Sequence, residues 1–126
     1  MFYTKKLLRR FQRPKFVGII KNANVVAEEG NIICGDKMKI FLKIKEGIIR
    51  EAKFQTYGCP TAIACADVVC ELVKGKKINQ AINLKPQDIV KKIGNLPPIK
   101  YHCSLLGIQT LKKAIKKYLQ KDDKEK

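Results

Sequence analysis

A regular alternation of apolar and basic residues in the middle of the chain limits what it can fold into. Between residues 37 and 45 every second residue is large and apolar, the set being Met38, Ile40, Leu42 and Ile44. The residues between them are lysines, apart from Phe41. Because successive side chains of a strand point to opposite faces of the sheet, this pattern predicts a strand with one buried face and one solvated face.

Two further strands are predicted around this one. Glu46-Gly47 has the composition of a tight turn, and Ile48 to Tyr57 then returns with Ala52 and Phe54 on one face. Upstream, Asn24 to Ile33 contains two apolar pairs separated by Glu-Glu-Gly, which indicates a strand with a turn in it. We therefore expect an antiparallel meander of three strands.

Helical signals precede and follow the meander. Tyr3 to Phe11 has helical apolar spacing, and Pro60 and Gly75 bracket a helix over Thr61 to Lys74. The remaining predicted helices are Ile78–Asn83, Pro86–Ile93 and Ser104–Gln120. The last helix carries a predicted buried stripe of Leu105, Ile108, Leu111, Ile115 and Leu119. Strands followed by helices predict an α+β fold, with helices packed on a three-stranded antiparallel sheet.

The length of the chain suits one domain. The 126 residues are 45% hydrophobic, which is enough to close one modest core. We assign residues 1–120 to this domain and expect residues 121–126 to be a charged, frayed tail. No run approaches the roughly 20 apolar residues of a membrane span, and no signal-peptide core follows the basic start. A cytoplasmic protein without membrane contact is expected.

The chain is strongly basic, with a formal net charge of +16. Such a charge attracts nucleic acid, anionic membrane or acidic protein partners. The lysines are spread over several segments, and no RNA-binding aromatic motif or helix-turn-helix pattern accompanies them. A solvated basic surface is the favoured interpretation, and nucleic acid is not an expected partner.

Three of the five cysteines stand beside a metal-ligand candidate or a predicted helix start. Cys34 precedes Gly35-Asp36, Cys103 follows His102, and Cys59 stands just before a predicted helix, as Cys103 also does. Without a secretory signal these thiols are expected to be reduced, and a helix start favours the thiolate. This donor set suits a thiolate-rich metal or iron–sulfur site. The separations in sequence do not by themselves bring the thiols together, and burial as small apolar residues is the alternative.

Seven short segments, taken in order, carry a family resemblance. They are Val17-Gly18, Cys34-Gly35-Asp36, Phe54 to Cys59, Ala62-Ile63-Ala64, Val73 to Lys76, Leu96-Pro97-Pro98-Ile99-Lys100 and His102-Cys103-Ser104. Together they resemble the iron–sulfur cluster assembly scaffold family, the IscU type that also forms the N-terminal domain of NifU. The resemblance runs from about Tyr3 to Tyr118 and implies the IscU/NifU-N-like fold.

The resemblance implies a set of site residues. Cys34, Cys59 and Cys103 match the three cysteines that ligate the cluster, and Cys103 matches the acceptor of persulfide sulfur. Asp36 and His102 match further ligands, with Asp36 keeping the cluster labile. The implied cofactor is a labile [2Fe-2S] cluster built from iron, with zinc as an occupant of the isolated protein.

The resemblance also implies partners. They are a cysteine desulfurase, apo iron–sulfur acceptor proteins, a DnaK-class chaperone that reads Leu96, Pro97, Pro98, Ile99 and Lys100, and a ferredoxin or other reductant. Tyr3 matches a residue linked to dimer contacts, so a monomer or transient dimer is expected.

The sequence leaves alternatives for two of the cysteines and for the function. Cys65 and Cys70 are interpreted as packing residues, with reserve ligands as the alternative. A non-enzymatic scaffold is the leading function. A thiol enzyme using Cys103 and a basic nucleic-acid-binding module with structural zinc are the alternatives.

Overall fold

The computed structural model describes residues 5–31, 36–57, 60–93 and 101–125 of the chain, and only the backbone at residues 7, 31, 36, 60–61, 93, 101–104 and 121–125. Its helices are α1 (Lys5–Gln12), α2 (Pro60–Val73), α3 (Ile78–Ala81), α4 (Pro86–Ile93) and α5 (Tyr101–Glu125). Its strands are β1 (Val25–Asn31), β2 (Asp36–Lys45) and β3 (Ile48–Tyr57). The predicted α+β architecture is confirmed. None of the helices in these ranges is long and apolar enough to cross a membrane.

The strands form one antiparallel sheet in the order β1-β2-β3. The predicted turn between β2 and β3 is confirmed: Glu46 and Gly47 have φ values of 57° and 74°. Both values lie in the left-handed region that a tight two-residue hairpin requires. Met38, Ile40, Leu42 and Ile44 are all buried, so the alternation identified the core face of β2 correctly.

The predicted interruption of β1 was wrong. Glu28, Glu29 and Gly30 continue the ladder, opposite Lys39, Met38 and Lys37 respectively. Glu28 meets a lysine of opposite charge across the strands, and Glu29 pairs with the Lys113 ammonium of α5 at 3.4 Å. The ladder with β2 therefore continues through both acidic residues, and Glu29 also has an ion-pair partner on α5.

Phe41 is the exception in the lysine row of β2, and the structure accounts for it. It is only 6% exposed, as is Ile20 in the segment that precedes β1. That segment hydrogen-bonds β3 at Phe54 and β2 at Leu42, so it crosses the sheet. The Lys39 ammonium stands 5.7 Å from the centre of the Phe41 ring.

Helix α5 covers the other side of the sheet, but its boundaries and stripe differ from the prediction. It begins at Tyr101 rather than Ser104, and its backbone continues to Glu125 rather than ending near Gln120. No glycine or proline interrupts the charged segment beyond Gln120. Leu105 and Leu119 are 40% and 41% exposed, so the predicted stripe was wrong at both ends. Among the α5 residues whose side chains are described, 105–120, the buried ones are Leu106, Gly107, Ile108, Thr110, Leu111, Ala114 and Ile115.

Two lysines of α5 protect the outer edge of the sheet. The Lys113 ammonium donates to the backbone oxygen of Glu28 at 2.9 Å, and that of Lys117 donates to Val26 at 3.2 Å. An uncovered edge strand offers such groups to other chains, and lysine is a common means of blocking it. Part of the high positive charge therefore has a structural role.

Candidate functional site

The ends of two strand pairs define one end of the sheet. Asn31, the last residue of β1, is the register partner of Asp36, the first residue of β2. Lys37 is in turn the partner of Tyr57, the last residue of β3. Cys34 lies within three residues of Asn31 along the chain, and Cys59 within two residues of Tyr57. We call this end of the sheet the cysteine end.

Helix α2 begins at the cysteine end. At its other end the amide of Gly75 donates to the oxygen of Ile49 at 2.7 Å, and the amide of Ile49 donates to Lys76 at 2.9 Å. These bonds tie the C-terminus of α2 to the start of β3. Gly75 has a φ of 85°, a helix-ending conformation that glycine adopts without strain. Because the C-terminus of α2 lies at the start of β3, the first residue of α2, Pro60, lies near the end of that strand.

Helix α5 also begins at the cysteine end, because it runs antiparallel to β1. Lys117 bonds the carbonyl of Val26 near the start of β1, and Lys113 bonds that of Glu28 further along. Earlier in α5, a Cβ placed on Gly107 would lie 3.1 Å from Val69 Cγ2 and 3.8 Å from the sulfur of Met38. The backbone of α5 thus passes closely over α2 and β2 one turn after Cys103.

Some of the predicted site residues belong to the described part of the chain and others do not. Tyr3, Cys34, Cys59 and Leu96 to Lys100 are outside it. Asp36 has a described backbone at the start of β2, as His102 and Cys103 have in the first turn of α5. The prediction that Cys103 directly precedes this helix was wrong, since it is the third residue of α5.

On the lysine-bearing face of the sheet, described residues near the cysteine end form an open, partly basic surface. Tyr57 is 79% exposed. With Lys37, Lys39, Gln55, Met38 and Glu28 it borders a cavity of about 140 Å³. The hydroxyl of Thr56 donates to the backbone oxygen of Lys37, which fixes the ends of β2 and β3 against each other.

Cys65 and Cys70 are core residues, as interpreted from the sequence. Both are fully buried in α2. Burial, with a smaller contribution from the charge of Asp67, raises the pKa of the Cys70 thiol. A neutral thiol is a poor metal ligand. Across the residues with described side chains, no three His, Cys, Asp or Glu groups come together as a metal site.

A buried charge cluster was missed by the sequence analysis. Asp67, fully buried in α2, accepts a hydrogen bond from Arg10 of α1 at 3.0 Å and another from the amide of Phe16 at 2.8 Å. Arg10 also bonds both carboxylate oxygens of Glu71, at 3.1 and 3.3 Å. We call this group the α1–α2 clamp. Its signal in the sequence was an aspartate within the otherwise apolar run of α2.

The clamp and the cysteine end belong to one α+β domain, and comparison with known proteins identifies its class. The family described as the NifU-like N terminal domain matches residues 2–125. The chain belongs to this family. An iron–sulfur cluster assembly scaffold protein IscU from Aquifex aeolicus is 44% identical over 121 residues, or 94% of this chain and 77% of the relative. The IscU scaffold protein of Escherichia coli is 40% identical over 125 residues, or 96% of this chain and 97% of the relative.

Solved structures share the fold. A candidate iron–sulfur cluster assembly scaffold for the SUF system of Fervidobacterium islandicum matches with a TM-score of 0.78 and 25% identity, over 90% of this chain and 96% of that one. The N-terminal part of a NifU-like protein from Brucella abortus gives a TM-score of 0.75 at 18% identity, over 93% and 94% of the two chains. The second similarity is one of fold alone.

Proposed function

We propose that this protein is a non-enzymatic scaffold on which iron and sulfur are assembled into a [2Fe-2S] cluster that is then transferred to apo-proteins. The observation that carries the proposal is the convergence, at one end of the sheet, of the chain segments that adjoin Cys34, Cys59 and Cys103. Membership of the NifU-like N-terminal family and the IscU relatives support it.

The proposed ligands are Cys34, Cys59 and Cys103, together with Asp36 and His102. Thiolates are the usual protein ligands of iron–sulfur clusters. The segments before Pro60 and within the first turn of α5 adjoin the positive ends of two helices, and this field favours the thiolate form of nearby cysteines. The chemistry of the donor set therefore suits iron and sulfide as cargo.

Sulfur would arrive as a persulfide. The thiolate of Cys103 attacks the outer sulfur of a desulfurase persulfide, forming a new S–S bond while the desulfurase thiolate leaves. The transferred sulfur is at the oxidation level of elemental sulfur and needs two electrons to become sulfide. Two sulfides need four electrons. Two Fe²⁺ ions oxidised to Fe³⁺ supply two of them, and a ferredoxin or similar reductant supplies the other two.

Asp36 is proposed to keep the cluster transferable. A carboxylate oxygen is a harder and weaker ligand for this iron than a thiolate, so it exchanges more readily when an acceptor protein offers its own thiolates. Its position at the first residue of β2, two residues after Cys34, supports this role.

The partner contacts are proposed on the family resemblance. Leu96 to Lys100 would bind a DnaK-class chaperone, and Tyr3 would contribute to a transient dimer. A cytoplasmic desulfurase and cytoplasmic acceptors complete the set. The basic surface suits a desulfurase with an acidic docking face.

Anaerobic reconstitution tests the function. The purified chain is incubated with Fe²⁺ and sulfide, desalted, and analysed for iron, sulfide and visible absorption. Two irons and two sulfides per occupied site with the absorption of a [2Fe-2S] cluster are expected, followed by transfer to an apo-ferredoxin. A colourless protein that retains zinc and takes up no iron would overturn the proposal.

A further inference from the structure

A basic pocket lies away from the cysteine end, between α1 and α4. It has a volume of about 330 Å³ and is lined by Lys6, Arg9, Arg10, Arg13, Lys15 and Lys92. All six described lining residues are cationic. A cavity of this size belongs to the range of small-molecule sites.

Most of these cations have no carboxylate partner among the described residues. Arg10 is engaged by Asp67 and Glu71, and Lys92 stands 3.8 Å from Glu71. Lys6, Arg9 and Arg13 make no ion pair with any residue that the structure describes, and Lys15 acts on Glu71 only from beyond ion-pair distance. Six positive charges against two negative ones leave a formal surplus of four around the pocket.

Repulsion within this surplus of positive charge destabilises the chain when no anion is bound. Lys6 and Arg10, like Arg9 and Arg13, are four residues apart, and the amide of Arg13 bonds the carbonyl of Arg9 at 3.0 Å, so the helical spacing continues past α1. Like charges at this spacing destabilise a helix. An anion in the pocket removes that repulsion.

From this geometry we infer that the pocket between α1 and α4 is a binding site for a linear oligophosphate, either inorganic or borne by a nucleotide. Arginine guanidinium groups bind phosphate oxygens in pairs, and Arg9 and Arg13 can each offer such a fork. The described lining contains no apolar or aromatic side chain, so it offers neither an anchor for a protein segment nor a platform for a base.

Recognition of the phosphate oxygens alone sets the expected order of affinity. Tripolyphosphate and ATP bind with similar affinity, because the phosphates alone are recognised, whereas AMP and inorganic phosphate bind much more weakly. Binding also raises the melting temperature, since the ligand neutralises charges on both α1 and α4 and holds α1 against the domain.

Calorimetric titration of the full chain in a phosphate-free buffer of low ionic strength tests the site. Arg9→Gln/Arg13→Gln removes two cations that have no described partner and leaves the clamp residue Arg10 in place. The dissociation constant for tripolyphosphate should rise roughly tenfold or more. The matched control is Lys112→Gln/Lys116→Gln, which removes the same charge at the same spacing from α5 and should change affinity less than about twofold.

Several results would overturn the inference. They are equal weakening in the two double variants, which would indicate a diffuse charge effect, AMP binding as tightly as ATP, and no binding by the unmodified chain. Tighter binding of a hexaglutamate peptide than of tripolyphosphate would reassign the pocket to acidic protein segments. Cluster reconstitution is measured on the same variants and is expected to be unchanged, so the pocket and the scaffold function succeed or fail separately.

Discussion

Two aspartates show how differently the α1–α2 clamp and the cysteine end use the same side-chain chemistry. Asp67 is fully buried and accepts hydrogen bonds from Arg10 and from the Phe16 amide, both within the chain. Asp36 begins β2 next to the segment that contains Cys34, and its proposed partner is an iron ion brought as cargo. The Asp67 carboxylate connects parts of the fold, and the Asp36 carboxylate is proposed to bind a ligand that is later released.

Stability and function should therefore be separable in this protein. Removing one member of a buried charge cluster lowers the free energy of unfolding of the protein, because the charged partners stay buried without a compensating charge. The cysteine end is defined by the backbone pairing of Asn31 with Asp36 and of Lys37 with Tyr57, which does not depend on the side chains of the proposed ligands. Substitutions in the two regions should therefore change different measurements.

The largest effect is expected at the cysteine end. Cys34→Ala, Cys59→Ala and Cys103→Ala should each abolish stable cluster binding on anaerobic reconstitution, while circular dichroism shows a folded domain. The reason is the loss of one of only three proposed thiolate ligands. Cys70→Ser serves as a control that removes a core thiol. Full iron and sulfide content in any of the three alanine variants would remove that cysteine from the ligand set.

The clamp should show the opposite behaviour. Asp67→Ala leaves the Arg10 guanidinium without its buried partner and the Phe16 amide without an acceptor. The free energy of unfolding, from anaerobic urea denaturation, should fall by about 3 kcal/mol. Arg9→Ala, an exposed neighbour without a described partner, is the matched control and should cost less than about 0.5 kcal/mol.

Cluster loading completes the test of the clamp. At temperatures where Asp67→Ala remains folded, it should load iron and sulfide like the unmodified chain. If it folded stably but bound no cluster, the proposed separation of the two regions would be wrong.

Local patterns predicted β2, its hairpin and the helix bracketed by Pro60 and Gly75, because period-two alternation and terminal proline and glycine act over a few residues. The prediction for β1 failed because its pairing with β2 and the ion pair of Glu29 with Lys113 of α5 join residues that are far apart in the sequence. The clamp could not be predicted for the same reason, since Arg10 and Asp67 are 57 residues apart.

The candidate site was predicted in another way. Adjacent donors such as Asp36 near Cys34, and His102 beside Cys103, suggested metal chemistry, but the spacing between the cysteines gave no reason for them to meet. Strand register and helix direction supply that reason for the flanking segments. The ligand set itself stays a prediction.

A smaller loss of stability is expected in the core of α2. Cys65→Ser/Cys70→Ser places two hydroxyl groups in a fully buried part of the helix, at a cost on the order of 1 kcal/mol per site. Cluster loading should not change, because both thiols belong to the core. Loss of visible absorption with helical circular dichroism retained would make one of them a ligand, and Cys65→Ala and Cys70→Ala singly would identify which.

Asp36 should tune the rate of transfer. Asp36→Ala should give a longer-lived cluster and slow its transfer to apo-ferredoxin roughly fivefold, the factor that about 1 kcal/mol in a barrier produces. Stopped-flow absorption would follow the transfer. Glu51→Ala, which removes the same charge from an exposed position of β3, should leave the rate unchanged. Equal rates of cluster transfer for Asp36→Ala and the unmodified chain would contradict the proposed role of Asp36.

The smallest effect concerns pH and again separates the two regions. Hydrogen bonding to Arg10 lowers the pKa of Glu71 against the opposing effect of partial burial, with Lys92 and Lys15 adding to the lowering. A carboxyl whose pKa is lower in the folded state stabilises the fold above its unfolded pKa of about 4.5, and this stabilisation is lost as the pH falls through the lower folded value. Arg10 stays charged throughout.

The contribution of Glu71 should therefore be present at pH 7 and decline below about pH 4.5. In urea denaturation, the free energy of unfolding of Glu71→Gln should be about 1 kcal/mol lower than that of the unmodified chain at pH 7. The difference should shrink toward pH 3, because Glu71 of the unmodified chain also becomes neutral there. Glu51→Gln, which removes an exposed carboxylate with no described ion pair, controls for the general charge of the chain. If the loss of unfolding free energy were the same at both pH values, Glu71 would act by packing. Asp67 would then be the carboxylate that stabilises the clamp through its charge.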